Sequence, residues 1–279
     1  MAEPFLGSAA LASGRLTKAQ LATGHTRLYR DVYLANGMAV TAIDRARAAW
    51  LWSRRRGVVA GFSAAALHGS DWVAGDRPAE LLHDNRHRLP GLLVRGDAFH
   101  RDEVEEIDGL PVTTPARTAV DLGCWYTTVE AVAGLDALVR AAKVDDLAVQ
   151  EIVRRSAGRR GIARARASLD LVDAGAESPK ESWLRVILIR AGLPRPQTQI
   201  PVYDGYWKPF AVLDLGWQEP KVAAEYDGEQ HRTDWRRYRW DAKRHERLQR
   251  CGWIVIRVLA GDREPEIVHR VRAALARRA

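Results

Sequence analysis

The spacing of apolar residues changes at Gly192, and this change restricts the fold of the last hundred residues more than any other feature. Before Gly192, apolar residues recur at the spacing of a helix: Trp183, Leu184, Ile187, Leu188 and Ala191. The preceding Ser178-Pro179-Lys180-Glu181 has the pattern of a helix start, with Ser at the N-cap and Pro at the first helical position. A helix is therefore predicted from Ser178 to Gly192.

After Gly192 the spacing becomes two, which is typical of strands. Strands are predicted over residues 198–203, 210–215 and 221–227. A charged helix over 234–250, an apolar strand over 253–259 and a last helix over 264–278 follow. The order helix, three strands, helix, strand, helix predicts a mixed α/β domain over residues 176–279.

Residues 1–172 are predicted to form a separate region, so that the chain as a whole is α+β. A short helix begins at Thr17, and residues 26–34 alternate like a strand or a wing. Short strands are expected within residues 79–113. Further helices are predicted over four stretches, namely 42–55, 63–68, 115–122 and 129–155.

The charge balance favours a polyanionic partner. The chain has 43 Lys and Arg against 35 Asp and Glu, a net charge of +8, and each neutralised phosphate releases counterions. Its two cysteines, Cys124 and Cys251, are far apart, which argues against a disulfide framework or a zinc finger. No apolar run has the length of a membrane span. We therefore expect a cytoplasmic protein with DNA, and not a membrane, as partner.

Three carboxylates are predicted to gather at one end of the C-terminal sheet. Asp214 interrupts an apolar strand, and Glu225 and Asp227 lie two apart in the next strand, on the same face. Crowded carboxylates repel each other unless a cation neutralises them or one takes up a proton. Mg²⁺ or Mn²⁺ binds such oxygen ligands. The pattern predicts a metal site formed by Asp214, Glu225 and Asp227, all three also candidate catalytic residues.

His231 and Glu181 complete the set of candidate catalytic residues. His231 follows the acidic strand and could orient or deprotonate a metal-bound water, and Glu181 shares a helix face with Leu184 and Leu188. Each has a purely structural alternative. Glu181 fits a capping box, Asp227-Gly228 is a common turn pair, and a lone histidine is often a surface or packing residue.

The helix predicted over 234–250 is rich in cations and aromatic rings, which suits a phosphodiester backbone with exposed bases. The alternative is a solvated amphipathic helix with Trp240 and Leu248 in the core. The candidate DNA-binding residues are Arg232, Trp235, Arg236, Arg237, Arg239, Lys243 and Arg244.

Four motifs in the second half together resemble a known family. They are Ser178–Arg185, Val212–Leu215, Ala224–His231 and Gly252–Arg257. In this order they resemble the bacterial domain related to very-short-patch-repair endonucleases, within the PD-(D/E)xK nuclease superfamily. The resemblance implies a restriction-endonuclease-like fold, with Asp214 and Glu225 as metal ligands and His231 in a catalytic or ligand role. The lysine that the superfamily places two residues after the second acid is replaced by Asp227; Lys221 and Lys243 are possible substitutes.

The first half resembles the AbiEi-type antitoxins of type IV toxin–antitoxin systems. The residues that carry this resemblance are Leu16–Leu21, Arg30–Tyr33, Ser63–Gly69 and Val112–Asp121. The resemblance implies a DNA-binding winged helix at the N-terminus, with Tyr33 in its wing. The alternative is that these segments are scaffold.

Three functions remain open at this point. The first is a divalent-metal-dependent DNA endonuclease of a repair or defence type. The second is a non-catalytic, antitoxin-like DNA-binding regulator with a degenerate nuclease fold, which the replaced lysine favours. The third is an interaction partner in a toxin–antitoxin or defence pair, with a cognate protein as its ligand.

Overall fold

The computed structural model describes residues 3–85, 89–227 and 235–278, the last range with side chains from residue 243 onward. The chain divides into two compact units, Met1–Asp170 and Leu171–Ala279. None of the helices in the described ranges has the length and apolarity needed to cross a membrane.

The first unit begins with a three-stranded antiparallel sheet in the order β1-β3-β2. Two short helices lie between the first and second strands, and Thr17 caps the second helix through a capping box with Gln20. This is the strand order of a winged helix, in which β2 and β3 form the wing. The elements are β1 (Phe5–Leu6), α1 (Gly7–Ala12), α2 (Lys18–Gly24), β2 (His25–Tyr29) and β3 (Val32–Ala35).

The rest of the first unit is a five-stranded mixed sheet with helices around it. The strand order is β6-β5-β4-β8-β7, with β4–β8 and β5–β6 parallel. The strands are β4 (Val58–Val59), β5 (Ala79–Leu82), β6 (Leu92–Arg95), β7 (Val104–Ile107) and β8 (Leu110–Thr113). The helices are α3 (Ala42–Trp52), α4 (Gly61–Leu67), α5 (Pro115–Trp125), α6 (Thr128–Ala141), α7 (Asp146–Arg155) and α8 (Ile162–Leu169), with a 3₁₀ turn at Arg101–Glu103.

A buried network of ion pairs lies beside α5 in this unit. Arg117, which is 2% exposed, donates to Asp121 at 2.8 Å and also to Glu103. Arg159 pairs with Asp121 at 2.7 Å and with Asp97 at 2.8 Å. Each buried acid therefore has a guanidinium as its partner, which is the condition for burying charge without a large penalty.

The second unit is a four-stranded sheet in the order β12-β11-β10-β9. β9, β10 and β11 pair antiparallel, and β12 pairs parallel with β11 because α10 connects them. The elements are α9 (Pro179–Arg190), β9 (Gln197–Val202), β10 (Ala211–Trp217), β11 (Val222–Asp227), α10 (Trp235–Arg250), β12 (Ile254–Leu259) and α11 (Glu264–Ala276).

Both faces of this sheet are covered by helices. On one face, Leu184 and Leu188 of α9 and Val271 of α11 are buried in one core with strand residues such as Val222. On the other face, Leu248 of α10 is buried in a second core with Ala223 and neighbouring strand residues. Consecutive residues of β11 therefore point to opposite cores, as alternation along a strand requires.

The predicted mixed α+β fold is confirmed. The order of elements in the second unit is the predicted one. Ser178 is the N-cap of α9, as predicted, since its side chain accepts a hydrogen bond from the Glu181 backbone N–H. One prediction for the first unit needs correction. Residues 129–155 are not one helical stretch, because the backbone is extended at Ala142 and Asp145 caps a new helix. Residues 26–34, predicted as a strand or a wing, form a hairpin, as a wing does, and it turns at Asp31, where φ is 63°.

Candidate functional site

Two carboxylates of the second unit, Glu181 and Glu225, act on a third, Asp214, through their charges. Glu181 lies on α9, Asp214 in β10 and Glu225 in β11. Burial of Asp214, and then the negative charges of Glu181 and Glu225, raise its pKa from 3.8 to about 7. The backbone N–H of Tyr226, which donates to Asp214 Oδ2 at 3.2 Å, and the charge of Arg244 oppose this increase. A carboxyl group with a pKa near neutrality exchanges a proton readily under ordinary conditions.

The position of Asp214 depends on an irregularity in the sheet. Leu213 packs in the core beside α10, whereas Leu215 packs in the core beside α9 and α11, so the alternation of β10 breaks at Asp214. On the neighbouring strand β9, Gln199 adopts a left-handed φ of 51°, which is uncommon for any residue except glycine. Asp214 consequently lies where charges from both faces of the sheet reach it.

Glu181 combines the two roles that its sequence pattern left open. Its Oε1 accepts a hydrogen bond from the Ser178 hydroxyl at 2.8 Å, and its Oε2 accepts from the Glu177 backbone N–H at 2.8 Å. These contacts stabilise the first turn of α9. Oε2 also accepts from the Gln199 amide at 3.3 Å, and the charge of Glu181 acts on Asp214. Glu181 is therefore a capping residue that also belongs to the acidic cluster.

Two arginines hold the other predicted metal ligands. Arg244 of α10 donates to both carboxylate oxygens of Glu225, at 2.5 and 3.0 Å, and to the Val212 carbonyl at 3.0 Å. Arg257 of β12 pairs with Asp227. The Arg244 side chain is only 20% exposed, so this predicted DNA-binding residue points toward the sheet and neutralises a carboxylate.

The carboxylate oxygens of Asp214, Glu225 and Asp227 can be compared with the ligands that Mg²⁺ requires, which are several oxygen atoms in an octahedron. Within the described ranges, no group of three or more Asp, Glu, His or Cys side chains is placed to hold a metal ion. Both oxygens of Glu225 are bound to Arg244, and Asp227 is paired with Arg257. The described residues, as arranged, do not fit a divalent metal, and the predicted site at Asp214, Glu225 and Asp227 stays a prediction.

The remaining predicted site residues are placed only in part. His231 and Arg232 lie outside the described residues. Residues 235–239, which include Trp235, Arg236, Arg237 and Arg239, belong to α10, and their side chains also lie outside the described set. Lys243 is exposed on the same helix. Lys221, a possible substitute for the superfamily lysine, donates to the Cys251 carbonyl at 2.9 Å.

A second candidate surface lies on the winged-helix-like start of the first unit. This region carries four exposed cations: Arg15 in the turn before α2, Lys18 on α2, and Arg27 and Arg30 on the hairpin. Asp31 is the only acid between residues 13 and 35, and its carboxylate accepts from the Ser8 backbone N–H at 2.7 Å. The hairpin turn is thus tied to α1. Tyr33, expected in the wing, has its ring 6.4 Å from Phe5 and is half-buried.

Sequence reasoning missed Gln199 and Arg257 as members of the acidic region. No feature of the sequence indicates Gln199, because the residue type of a glutamine does not predict a left-handed backbone. Arg257 could have been found from the sequence, because it is a single charge inside an apolar strand and such a residue needs a partner. Pairing β12 with β11 in parallel places it directly beside Glu225 in the register.

Comparisons with known proteins identify a matching family model and related proteins. Residues 58–171 match the family model of the AbiEi antitoxin C-terminal domain. Over 219 residues the chain is 32% identical to two proteins of Mycobacterium tuberculosis, the uncharacterized protein MT2308 of strain CDC 1551 / Oshkosh and the uncharacterized protein Rv2248 of strain H37Rv. The alignment covers 77% of this chain and 78% of each relative. No solved structure matches the chain.

These matches confirm the AbiEi resemblance for residues 58–171. None of them supports the resemblance of residues 176–279 to very-short-patch-repair endonucleases, which stays a hypothesis. On the identity and coverage of the alignment, the chain belongs to the same protein family as the M. tuberculosis proteins MT2308 and Rv2248, and it carries an AbiEi antitoxin C-terminal domain over residues 58–171.

Proposed function

We propose that the protein is a DNA-binding regulator of the antitoxin type, which contacts duplex DNA through α2 and the β2–β3 hairpin. One observation carries this proposal: exposed cations before α2, on α2 and on the hairpin lie on a winged-helix-like sheet in a chain that also has an AbiEi antitoxin domain. The predicted endonuclease is less well supported, because two of the three predicted metal ligands, Glu225 and Asp227, are bound to arginines.

Electrostatics makes this surface suitable for DNA. The four cations, Arg15, Lys18, Arg27 and Arg30, are exposed, and the nearby Asp31 is held by Ser8. A short helix and a hairpin are the two shapes that enter or flank the grooves of B-DNA. Binding that rests on phosphate contacts falls as salt rises, by about one unit of log–log slope for each contact.

The proposal includes a cognate protein partner. Residues 58–171 match a domain named for an antitoxin, and an antitoxin acts together with a toxin. The partner would be the second component of such a pair. Co-expression of this chain with a protein that is toxic when expressed alone and that binds this chain in a pull-down, followed by a growth assay, tests this part: rescue of growth supports it, and unrelieved toxicity counts against it.

Fluorescence anisotropy with a labelled 30-base-pair duplex, at several salt concentrations and in EDTA, tests the DNA contact. We expect saturable binding without divalent metal. Arg27→Ala/Arg30→Ala should weaken binding at least about tenfold at 0.1 M salt and lower the salt slope by about two. Arg160→Ala/Arg166→Ala removes two exposed cations elsewhere in the same unit and serves as the charge-matched control. Equal losses in both double variants would contradict a contact at the hairpin.

A metal-dependent DNA endonuclease is the second candidate, and the raised pKa of Asp214 between Glu181 and Glu225 favours it. Calorimetric titration of Mg²⁺ or Mn²⁺, with Asp214→Ala as control, tests the metal site. Saturable binding that the variant loses would restore this candidate, and nicking of supercoiled plasmid would then be the second measurement. Equal heats for the two proteins would count against it.

A further inference from the structure

The loop between β9 and β10 exposes large aromatic rings. It spans residues 203–210, and Gly205 makes its turn with a φ of 96°. Trp207 is 92% exposed, Tyr206 72% and Tyr203 50%. Rings of this size are normally at least half covered, since each can remove a large apolar area from water. Three such rings in five residues indicate a surface that a ligand covers.

The base of this loop is attached to the second half of α10. Arg247 pairs with Asp204 and lies over the Phe210 ring, 4.2 Å from its centroid. The Cys251 thiol lies 3.8 Å from the Tyr203 carbonyl. Both ends of the loop are thus held beside the second half of the helix.

That helix face is cationic. Lys243, Arg247 and Arg250 are spaced by four and three residues, so they share one face, and Lys243 and Arg250 are exposed. Glu246 is the one acid between Lys243 and Arg250 and lies on the same face, which leaves the face with an excess of positive charge. Lys208, also exposed, follows the aromatic rings in the loop. Asp204 is the only acid of the loop, and Arg247 neutralises it. Aromatic rings and excess positive charge therefore occur on one continuous surface.

We propose that loop 203–210 and the cationic face of α10 bind unpaired bases of single-stranded DNA. Tyr206 and Trp207 stack on successive bases, and Lys208, Lys243 and Arg250 contact the phosphates. A phosphodiester strand is the ligand that supplies flat rings and negative charge at a regular spacing, which matches this surface. The site lies in the second unit and goes beyond the proposed duplex contact, which is in the first.

The test uses the full chain and two labelled probes, a 20-mer of oligothymidylate and a blunt 20-base-pair duplex, in fluorescence anisotropy. Alanine replacement of one stacking ring costs about fivefold or more in affinity. Tyr206→Ala/Trp207→Ala should therefore bind the oligothymidylate at least about tenfold more weakly, with duplex affinity within about twofold of the wild type. Tyr206→Phe/Trp207→Phe keeps two rings and should lose less than about threefold. Leu147→Ala removes a 75% exposed apolar side chain of the first unit and should change neither affinity.

Three results would overturn the proposal. They are absence of oligothymidylate binding by the wild type, an unchanged affinity in the double alanine variant, and an equal loss for both probes. Failure of the duplex proposal is a separate outcome, because it is measured with Arg27→Ala/Arg30→Ala on the duplex. Binding of the wild type to anionic vesicles but not to the oligothymidylate would also overturn the proposal and assign the aromatic loop to a lipid surface.

Discussion

The two units each contain a cluster of charged side chains below the surface, and the clusters differ in their balance of charge. In the first unit, Asp121 is flanked by Arg117 and Arg159, and these guanidinium groups also pair with Glu103 and Asp97. In the second unit, Arg244 neutralises Glu225, while Asp214 keeps two carboxylates as neighbours and a pKa of about 7.

The difference separates a structural network from a candidate site. In the first cluster each acid has a guanidinium partner, so the charges of Arg117 and Arg159 oppose the increase in the pKa of Asp121 that burial causes. An uncompensated carboxyl group lowers stability when it ionises, and proteins retain such groups mainly at functional positions. The second cluster therefore deserves functional tests, and the first deserves stability tests.

The largest effect is expected from Arg117→Ala. The variant leaves Glu103 and Asp121 buried without their shared cation, which costs about 3–5 kcal/mol in the free energy of unfolding. Denaturant unfolding followed by circular dichroism measures the loss. Arg154→Ala, which removes a 74% exposed partner of Glu151 in the same unit, should lower the free energy of unfolding far less, because solvent screens exposed ion pairs. Similar losses for the two variants would show that the buried network does not stabilise the fold.

A smaller loss is expected from Arg244→Ala, since only one carboxylate depends on it. Glu225, whose side chain is 14% exposed, would lose both of its guanidinium contacts, at a cost of about 1–3 kcal/mol. Arg190→Ala removes an exposed cation of the same unit and is the control. If both variants unfold at the same denaturant concentration as the wild type, Arg244 is not needed to neutralise the cluster.

Asp214→Asn should raise the free energy of unfolding, whereas the two preceding substitutions should lower it. The pKa of Asp214 is raised in the folded state, so the stability contributed by its protonated form is lost as pH rises from about 4 to about 7. Asparagine does not ionise, and the variant should gain about 1–3 kcal/mol at pH 8 and less at pH 5. Thermal unfolding by calorimetry at both pH values measures this. Asp262→Asn is the control. The backbone N–H of Leu259, and then Arg270, lower the pKa of this partly exposed carboxyl, so its replacement should not raise the free energy of unfolding at pH 8.

The smallest effect is expected from Glu181→Gln. The amide keeps one oxygen, which can accept one of the two capping hydrogen bonds, and it removes one of the two negative charges that raise the pKa of Asp214. The pKa of Asp214 should fall below about 7 with little change in stability. Titration followed by NMR of the aspartate carboxyl carbons measures it. A pKa that stays at about 7 would mean that burial alone causes the shift.

Much of the second unit could be predicted because its signals are local. The cap at Ser178 and the change of period after Gly192 depend on neighbouring residues, and the structure has the corresponding elements. The first unit was less predictable. Its hairpin turns at Arg30-Asp31 without a glycine, and the helical pattern of 129–155 continues across a break that only Asp145 signals.

The choice of Glu181, Asp214 and Glu225 as candidate residues was predictable, although the break in the alternation of β10 that positions Asp214 has no signal in the sequence. The identity of their neutralising partners was not. Arg244 was expected to face DNA, and its pairing with Glu225 depends on how α10 packs on the sheet. The exposed rings at Tyr206 and Trp207 were missed for the same reason, since a sequence does not show which rings the core leaves uncovered.

By itself, the sequence determined the elements of this protein, their order and the residues that carry charge. These follow from backbone propensity, capping and apolar period, which act over a few residues. Only the tertiary structure decided which charges meet, which carboxyl group stays uncompensated and which rings remain in water. Those properties depend on burial and on contacts between residues far apart in the chain, because the energy of a charge is set by its surroundings.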